Sequence, residues 1–164
     1  MSTCVFPGSF DPVTRGHMSL IERAAKMYDI VTVAVMVNIA KKGVIPYEER
    51  VAILRKACAK IPNVRVELWQ GLLADYVKKH PETVVIRCVR NAGEAEQEIR
   101  NAGINRRLCP GMETLLMPAS AETADISSSA VREISAFGGD ISGLVPKIVY
   151  REIMKYMTAV RAEK

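Results

Sequence analysis

Aromatic side chains are scarce: one Trp, five Tyr and three Phe make up 5% of the 164 residues. So thin a supply argues against a surface that stacks nucleic-acid bases. Histidine occurs only twice, and the four cysteines, Cys4, Cys58, Cys88 and Cys109, stand far apart with no CxxC pairing. A structural zinc cluster is therefore not expected. No apolar run approaches the roughly 20 residues of a membrane helix. The short Cys4-Val5-Phe6 stretch meets Pro7-Gly8 at once instead of continuing as a secretory leader. These absences lead us to expect a reduced protein of the cytoplasm, with neither membrane nor nucleic acid as partner. Charge of one sign is not in large excess either, since 23 Lys and Arg oppose 18 Asp and Glu for a net +5. That balance suits an ordinary solubilised surface and points only weakly to an anionic partner. The standard nucleotide loops are missing too: GxGxxG does not follow the first apolar segment, and GxxxxGK(S/T) occurs nowhere. Neither a dinucleotide-binding fold nor a P-loop enzyme has support from motifs.

What is present is 49% apolar residues, arranged in two alternating kinds of segment. Stretches 3–6, 30–37, 64–69, 83–87 and 113–117 are short and mostly β-branched. The second and fourth read as strands buried on both faces, as a parallel sheet requires. Helical periodicity fills 18–28, 47–60, 71–79 and about 92–107. Leu20, Ile21, Ala24 and Ala25 form an apolar stripe in the first, as do Val51, Leu54 and Cys58 in the second. Ser127-Ser128-Ser129 precedes a capped helix ending before Gly138-Gly139, and a last helix starts near Pro146. Such alternation is the βαβ pattern, and it predicts one three-layer α/β domain over residues 1–164. Ligands of such sheets sit beyond the carboxyl ends of the strands, which directs attention to 7–17, 38–46, 70–73, 87–92 and 118–129.

The first of these loops reads Pro7-Gly8-Ser9-Phe10-Asp11-Pro12-Val13-Thr14-Arg15-Gly16-His17. Its prolines stiffen the backbone, its glycines permit close approach of a ligand, and His17 falls at a helix start where free amides favour anions. A phosphate fits that description.

With this element the chain resembles the bacterial phosphopantetheine adenylyltransferase family, nucleotidyltransferases that carry a (H/T)xGH motif. Thr14 and His17 occupy its two key places. The resemblance continues through Lys41-Lys42, Tyr47-Glu48-Glu49-Arg50, Ile86-Arg87-Cys88-Val89-Arg90, Glu98, Asn105, Leu116-Met117-Pro118 and Ile126-Ser127-Ser128-Ser129. It implies a Rossmann-like nucleotidyltransferase fold with a five-stranded parallel sheet and C-terminal helices. The implied activity moves the adenylyl group of ATP to 4′-phosphopantetheine, giving dephospho-coenzyme A and pyrophosphate. Mg2+ would accompany the nucleotide, coenzyme A would act as feedback ligand, and the assembly would be a homohexamer.

Position by position, the resemblance makes His17 the transition-state stabiliser, with Lys41 and Arg90 also stabilising phosphate charge. Ser9, Lys41, Leu73 and Arg87 would hold the acceptor. Ser9, Phe10, His17, Cys88, Val89, Arg90, Glu98, Thr123, Ala124, Asp125, Ile126, Ser127, Ser128 and Ser129 would hold ATP. Guanidinium forks suit phosphate oxygens, although ion pairing of Arg87 and Arg90 with Glu94 or Glu98 is a competing structural account. A covalent route through Ser9, with His17 as base and Asp11 as orienter, is disfavoured because those residues crowd one loop and the resemblance gives them other roles.

Several positions depart from the family pattern. Cys88 stands where a glycine is usual, Ser9 where a threonine is common, and Ile39 where a proline is common. The usual Asp-Phe-Glu-Tyr-Glu stretch is Glu94-Ala95-Glu96-Gln97-Glu98. These changes bear on the nucleotide loop and subunit packing more than on reaction type. Two rivals remain at this stage. One is another small-molecule nucleotidyltransferase, such as a nicotinate mononucleotide enzyme, and the other is a non-enzymatic nucleotide or coenzyme A sensor.

Overall fold

The β-branched segments lie side by side in a computed structural model that describes residues 1–39 and 43–162, with side chains through Met157. Elements alternate as β1 (Thr3–Gly8), α1 (Arg15–Ala25), β2 (Ile30–Met36), α2 (Tyr47–Ala57), β3 (Val64–Trp69), α3 (Leu73–Lys79), β4 (Thr83–Val89), α4 (Ala92–Leu108) and β5 (Thr114–Pro118). Then come α5 (Ser128–Ala136), a 3-10 turn at Lys147–Val149, and α6 (Tyr150–Ala162). The strands form one five-stranded sheet in the order β3-β2-β1-β4-β5, every neighbouring pair parallel. Among the described residues no helix is long and apolar enough to cross a membrane.

Alternation along the strands decides which core each side chain joins. Cys4, Phe6, Val31, Val33, Val35, Val66 and Ile86 pack with Leu20, Ile21, Leu54, Val131 and Ile153, from helices α1, α2, α5 and α6. Val5, Ala34 and Val85 point the other way, toward Ala74, Tyr76 and Val77 of α3 and Cys109 and Met112 beyond α4. Helices therefore cover both faces of the sheet, as the three-layer reading predicts. Each fully buried Leu or Ile, such as Leu20 or Leu54, contributes roughly 1.5–3 kcal/mol by leaving water.

Three boundaries differ from the sequence reading in ways that matter for the site. β1 extends to Gly8. β4 extends to Val89, so Arg87 lies inside a strand and only Arg90 lies beyond it. β4 is deeply buried only at Val85 and Ile86, and Arg87 and Cys88 beyond them border a cleft. Helix α1 starts at Arg15 instead of residue 18, since Thr14 caps it and the polar first turn carries no apolar periodicity.

Sheet order sets the location of the site. β1 leads outward through β2 to β3, whereas β4 leads through β5 to the opposite edge. The loops after β1 and β4 therefore diverge and leave a crevice at the carboxyl ends, the usual ligand position in such sheets.

Candidate active site

The loop after β1 is built to hold one imidazole. Phe10 adopts a left-handed backbone with φ 47°, uncommon for a residue with a side chain, and its ring is 1% exposed. The ring folds back over Gly8, where a Cβ would meet it at 3.0 Å. It stands edge-on to Phe6 at 5.5 Å and to His17 at 5.0 Å between centroids. Phe10 thus supports His17 from below. From the other side, Thr14 and His17 cap each other: His17 N–H donates to Thr14 Oγ1 at 3.3 Å, and Thr14 N–H donates to His17 Nδ1 at 3.0 Å.

That second bond fixes the tautomer, because a backbone N–H can only donate. Nδ1 must carry the lone pair, and the ring proton sits on Nε2. Desolvation in the crevice, followed by the nearby Arg90 charge, pushes the His17 pKa down to about 4. At neutral pH the side chain is an uncharged Nε2–H donor at the cleft wall. A base that weak is poorly suited to proton abstraction.

A buried ion pair holds the next loop in place. Asp11 accepts from the N–H groups of Val44 at 2.9 Å and Ile45 at 2.9 Å, and it pairs with Arg50 at 3.5 Å. Arg50 is 3% exposed and also donates to the carbonyls of Ile45 at 2.7 Å and Ser9 at 3.0 Å. Gly43 leaves space for it, since a Cβ there would lie 1.7 Å from Arg50 Nη2. The pair joins the loop after β1 to residues 43–46. Lys41 and Lys42, expected in the same connection, lie outside the described residues.

Opposite His17, the end of β4 supplies two guanidinium groups. Arg87 donates to Glu98 through Nε at 2.9 Å and Nη2 at 2.7 Å, and through Nη1 to Pro7 O at 2.8 Å. Arg90 donates from Nε to Glu94 at 2.9 Å and pairs with it again through Nη2. The expected ion pairing with α4 is therefore real, Arg87 with Glu98 and Arg90 with Glu94. It depresses the Glu94 pKa, chiefly through the Arg90 hydrogen bond. The third wall is the start of α5. Ser127 caps it by accepting from Ala130 N–H at 3.0 Å, Ser128 donates to Pro12 O at 2.8 Å, and Ser129 accepts from Arg132 at 3.1 Å. Arg132 also reaches the Asp11 carbonyl.

These walls enclose a cleft of about 470 Å³. Of the residues expected from sequence, Ser9, His17, Arg87, Cys88, Arg90, Glu98, Thr123, Ile126, Ser127, Ser128 and Ser129 line it. Leu73 lines a second groove of about 250 Å³, with Met36 and Ile104, and Arg87 and Glu98 border both spaces. Phe10 lies buried beneath the cleft. Val89, Ala124 and Asp125 flank it in sequence without lining it among the described residues. Arg50, Gln97 and Arg132 line it although the sequence reading gave them no site role, as does Asp11, named there only as orienter in the disfavoured covalent route. Arg132 follows Ser129 by one helical turn, a spacing that could have flagged it, whereas nothing local marks Asp11 as the partner of Arg50.

Cys88 offers no nucleophile, since burial raises its thiol pKa against the opposing pull of Arg90. Burial likewise pushes Cys4 to about 12 and Cys58 to about 11. Chemically, the cleft presents cations, a neutral imidazole donor and helix-start amides to one enclosed space, as a polyphosphate requires.

Comparison with known proteins bears on the family and the fold. Residues 5–134 match the cytidylyltransferase-like family. The chain is 43% identical over 155 residues to the phosphopantetheine adenylyltransferase of Clostridium kluyveri, covering 94% of each. It is 42% identical over 163 residues to that of Clostridium perfringens, covering 99% of each. Among solved structures, a bifunctional NMN adenylyltransferase/ADP ribose pyrophosphatase from Francisella tularensis aligns with TM-score 0.71 at 14% identity, over 99% of this chain and 52% of that one. A candidate nicotinate-nucleotide adenylyltransferase from Vibrio parahaemolyticus aligns with TM-score 0.67 at 16% identity, over 98% and 96%. At such identities the structural matches speak for the fold alone.

Proposed function

The chain belongs to the phosphopantetheine adenylyltransferase family, and on that premise we propose that its cleft transfers the adenylyl group of ATP to 4′-phosphopantetheine in coenzyme A biosynthesis. The observation that carries this reading is likeness above 40% along nearly the whole chain, in a protein whose cationic cleft opens at Arg87 onto an apolar groove.

A phosphomonoester has a second pKa of about 6, so the acceptor is largely dianionic at neutral pH and needs no base to release its nucleophilic oxygen. That oxygen forms a bond to the α-phosphorus while the bond to the β-phosphate bridging oxygen breaks and pyrophosphate leaves. The chain supplies alignment and charge stabilisation. His17 donates through Nε2–H to the phosphate oxygens gaining charge, with Arg90 and Lys41 as cations. Ser9, Lys41 and Arg87 hold the acceptor phosphate, and the Leu73 groove receives its apolar arm. Residues 88–90, Glu98 and 123–129, with Ser9 and Phe10, complete the nucleotide side.

Mg2+ enters this reading as a companion of the ATP phosphates, whose charge it would partly neutralise. The described residues contain no cluster of three or more carboxylate, His or Cys ligands. The carboxylates in the cleft are engaged elsewhere, Asp11 with Arg50 and backbone amides, Glu94 and Glu98 with arginines. The chain's own cations therefore carry the protein's share of charge stabilisation.

Assembly as a homohexamer in the cytoplasm, with coenzyme A as feedback ligand, completes the proposal. Helix α4 supports assembly: none of its residues is buried, and Ile104 and Leu108, one turn apart, are 58% and 44% exposed. Contact with another copy would remove this apolar pair from water. Light scattering should give six times the chain mass, and a concentration-independent monomer would refute it. The activity itself is tested by pyrophosphate release with ATP, Mg2+ and a panel of acceptors. Turnover with nicotinate mononucleotide but not 4′-phosphopantetheine would overturn the assignment, and no turnover with any acceptor would leave a binding protein.

A further inference from the structure

Helix α4 brings two asparagines to the groove beside Leu73. Asn101 and Asn105 stand four residues apart on one face, and both line that space of about 250 Å³. Away from the mouth that Arg87 and Glu98 share with the large cleft, its walls are mostly apolar: Pro7, Met36, Leu73, Val85 and Ile104. Both asparagines are half-buried. Gln97, one turn before Asn101, donates from Nε2 to Asn101 Oδ1 at 3.1 Å and accepts from Arg100 Nη2 at 3.2 Å. The Asn101 oxygen is thereby engaged, while its NH2 has no hydrogen-bond partner among the described residues, and neither has the Asn105 side chain. Asparagine is a poor helix former, and a leucine would suit both the helix and the apolar walls better. Helix stability therefore does not account for the amides.

The arm of 4′-phosphopantetheine is apolar except for one hydroxyl and two amides, which two methylenes separate. An extended amide unit spans about 3.5 Å, and the additional methylene lengthens it to about 5 Å. Four residues of helix rise about 6 Å. The two amides of the arm and the two side-chain amides of α4 thus repeat at nearly the same distance.

From this correspondence we infer that Asn101 is a specificity-determining residue, its Nδ2 donating to the acceptor's amide carbonyl nearer the phosphate. Asn105, one turn deeper, faces the second amide. The groove then selects a phosphomonoester whose arm carries amides over one whose arm is hydrocarbon. An amide entering apolar walls without a partner loses its hydration for nothing, whereas a hydrocarbon arm leaves the Asn101 NH2 covered and unpaired. The inference rests on the adenylyl-transfer reading and adds the arm to what the site recognises.

The test uses the full chain and two acceptors, 4′-phosphopantetheine and an unbranched alkyl phosphate of similar length. Asn101→Leu keeps the size of the side chain and removes the donor. It should raise KM for 4′-phosphopantetheine roughly threefold to tenfold, the scale of one neutral hydrogen bond, and leave KM for ATP within about twofold. Use of the alkyl phosphate should stay the same or improve, so the preference between acceptors narrows. Gln97→Ala, which lets Asn101 turn, should raise the acceptor KM less, and should add nothing in an Asn101→Leu background.

An unchanged preference in Asn101→Leu would overturn the inference and leave Asn101 as an ordinary surface amide of α4. Equal losses for both acceptors would do so as well, since the change would then be steric. Asn101→Ala removes the donor without adding bulk and must narrow the preference in the same direction. Calorimetric titration of each acceptor without ATP separates this inference from the reading beneath it. A wild type that transfers to neither acceptor, yet binds 4′-phosphopantetheine more tightly than the alkyl phosphate by a margin that Asn101→Leu reduces, would end the transfer reading and keep the amide site. A wild type that binds both equally would end the amide site, whatever its turnover.

Discussion

The two sides of the cleft hold their functional groups by different means. Around the loop after β1, His17, Asp11 and Arg50 are locked by backbone: capping bonds, two amides on one carboxylate, and carbonyls on a guanidinium that is 3% exposed. Along α4, Arg87 and Arg90 are held mainly by glutamates of a helix with no buried residue. The first side is part of the fold and the second is attached to it. Damage should therefore show as lost stability or lost rate on the first side, and as altered substrate affinity on the second.

The sharpest way to break this contrast is at Arg50. Arg50→Ala breaks a buried ion pair, leaves Asp11 with only two backbone amides and the more distant Arg132, and should cost about 3–5 kcal/mol in urea unfolding. Glu96→Ala, which removes the exposed partner of Arg100, should not shift the midpoint measurably. Equal effects would erase the distinction.

His17→Ala should act on rate. Loss of a well-placed donor costs about 2.7–4 kcal/mol in a serine-protease comparison, roughly 10²–10³-fold in kcat. ATP affinity should change far less, because Arg90 and the 123–129 loop remain. Normal turnover in a folded His17→Ala protein would remove His17 from the mechanism.

On the other side, Arg87→Ala should impair use of 4′-phosphopantetheine by about 1.5–3 kcal/mol and leave unfolding nearly unchanged. A large drop in thermal midpoint would show that this pair, too, belongs to the framework.

A further effect is expected in pH. The folded pKa of His17, about 4, lies below its ordinary 6.5, so between those values the unfolded chain binds a proton that the folded chain refuses. Its contribution to stability is complete above pH 6.5 and is lost as pH falls toward 4. NMR should show a largely neutral, Nε2-protonated ring over the upper part of that window, with charging only as pH nears 4, and an inflection near 6.5 in the folded protein would contradict the desolvated, capped geometry.

Much of this was legible beforehand for local reasons. The βαβ alternation and the stretch from Pro7 to His17 are written in neighbouring residues, and the residues that match the family motifs appear in family order. Less legible were α1's first turn, whose polar residues hide a helix start from periodicity, and Arg50, which reads as one more charge on α2 yet is buried. Cys88, in place of the usual glycine, could be read as a disturbance of the nucleotide loop. It lines the cleft without displacing its neighbouring arginines from their partners.

Sequence alone determined the class of fold, the order of the elements and the family, because periodicity, capping and motif spacing are local properties of the chain. Tertiary structure decided which glutamate takes which arginine, that Asp11 and Arg50 meet across 39 positions of sequence numbering, from 11 to 50, and that His17 is neutral with its proton on Nε2. Those outcomes depend on strand register and on water excluded from one crevice, and neither exists until distant segments have packed together.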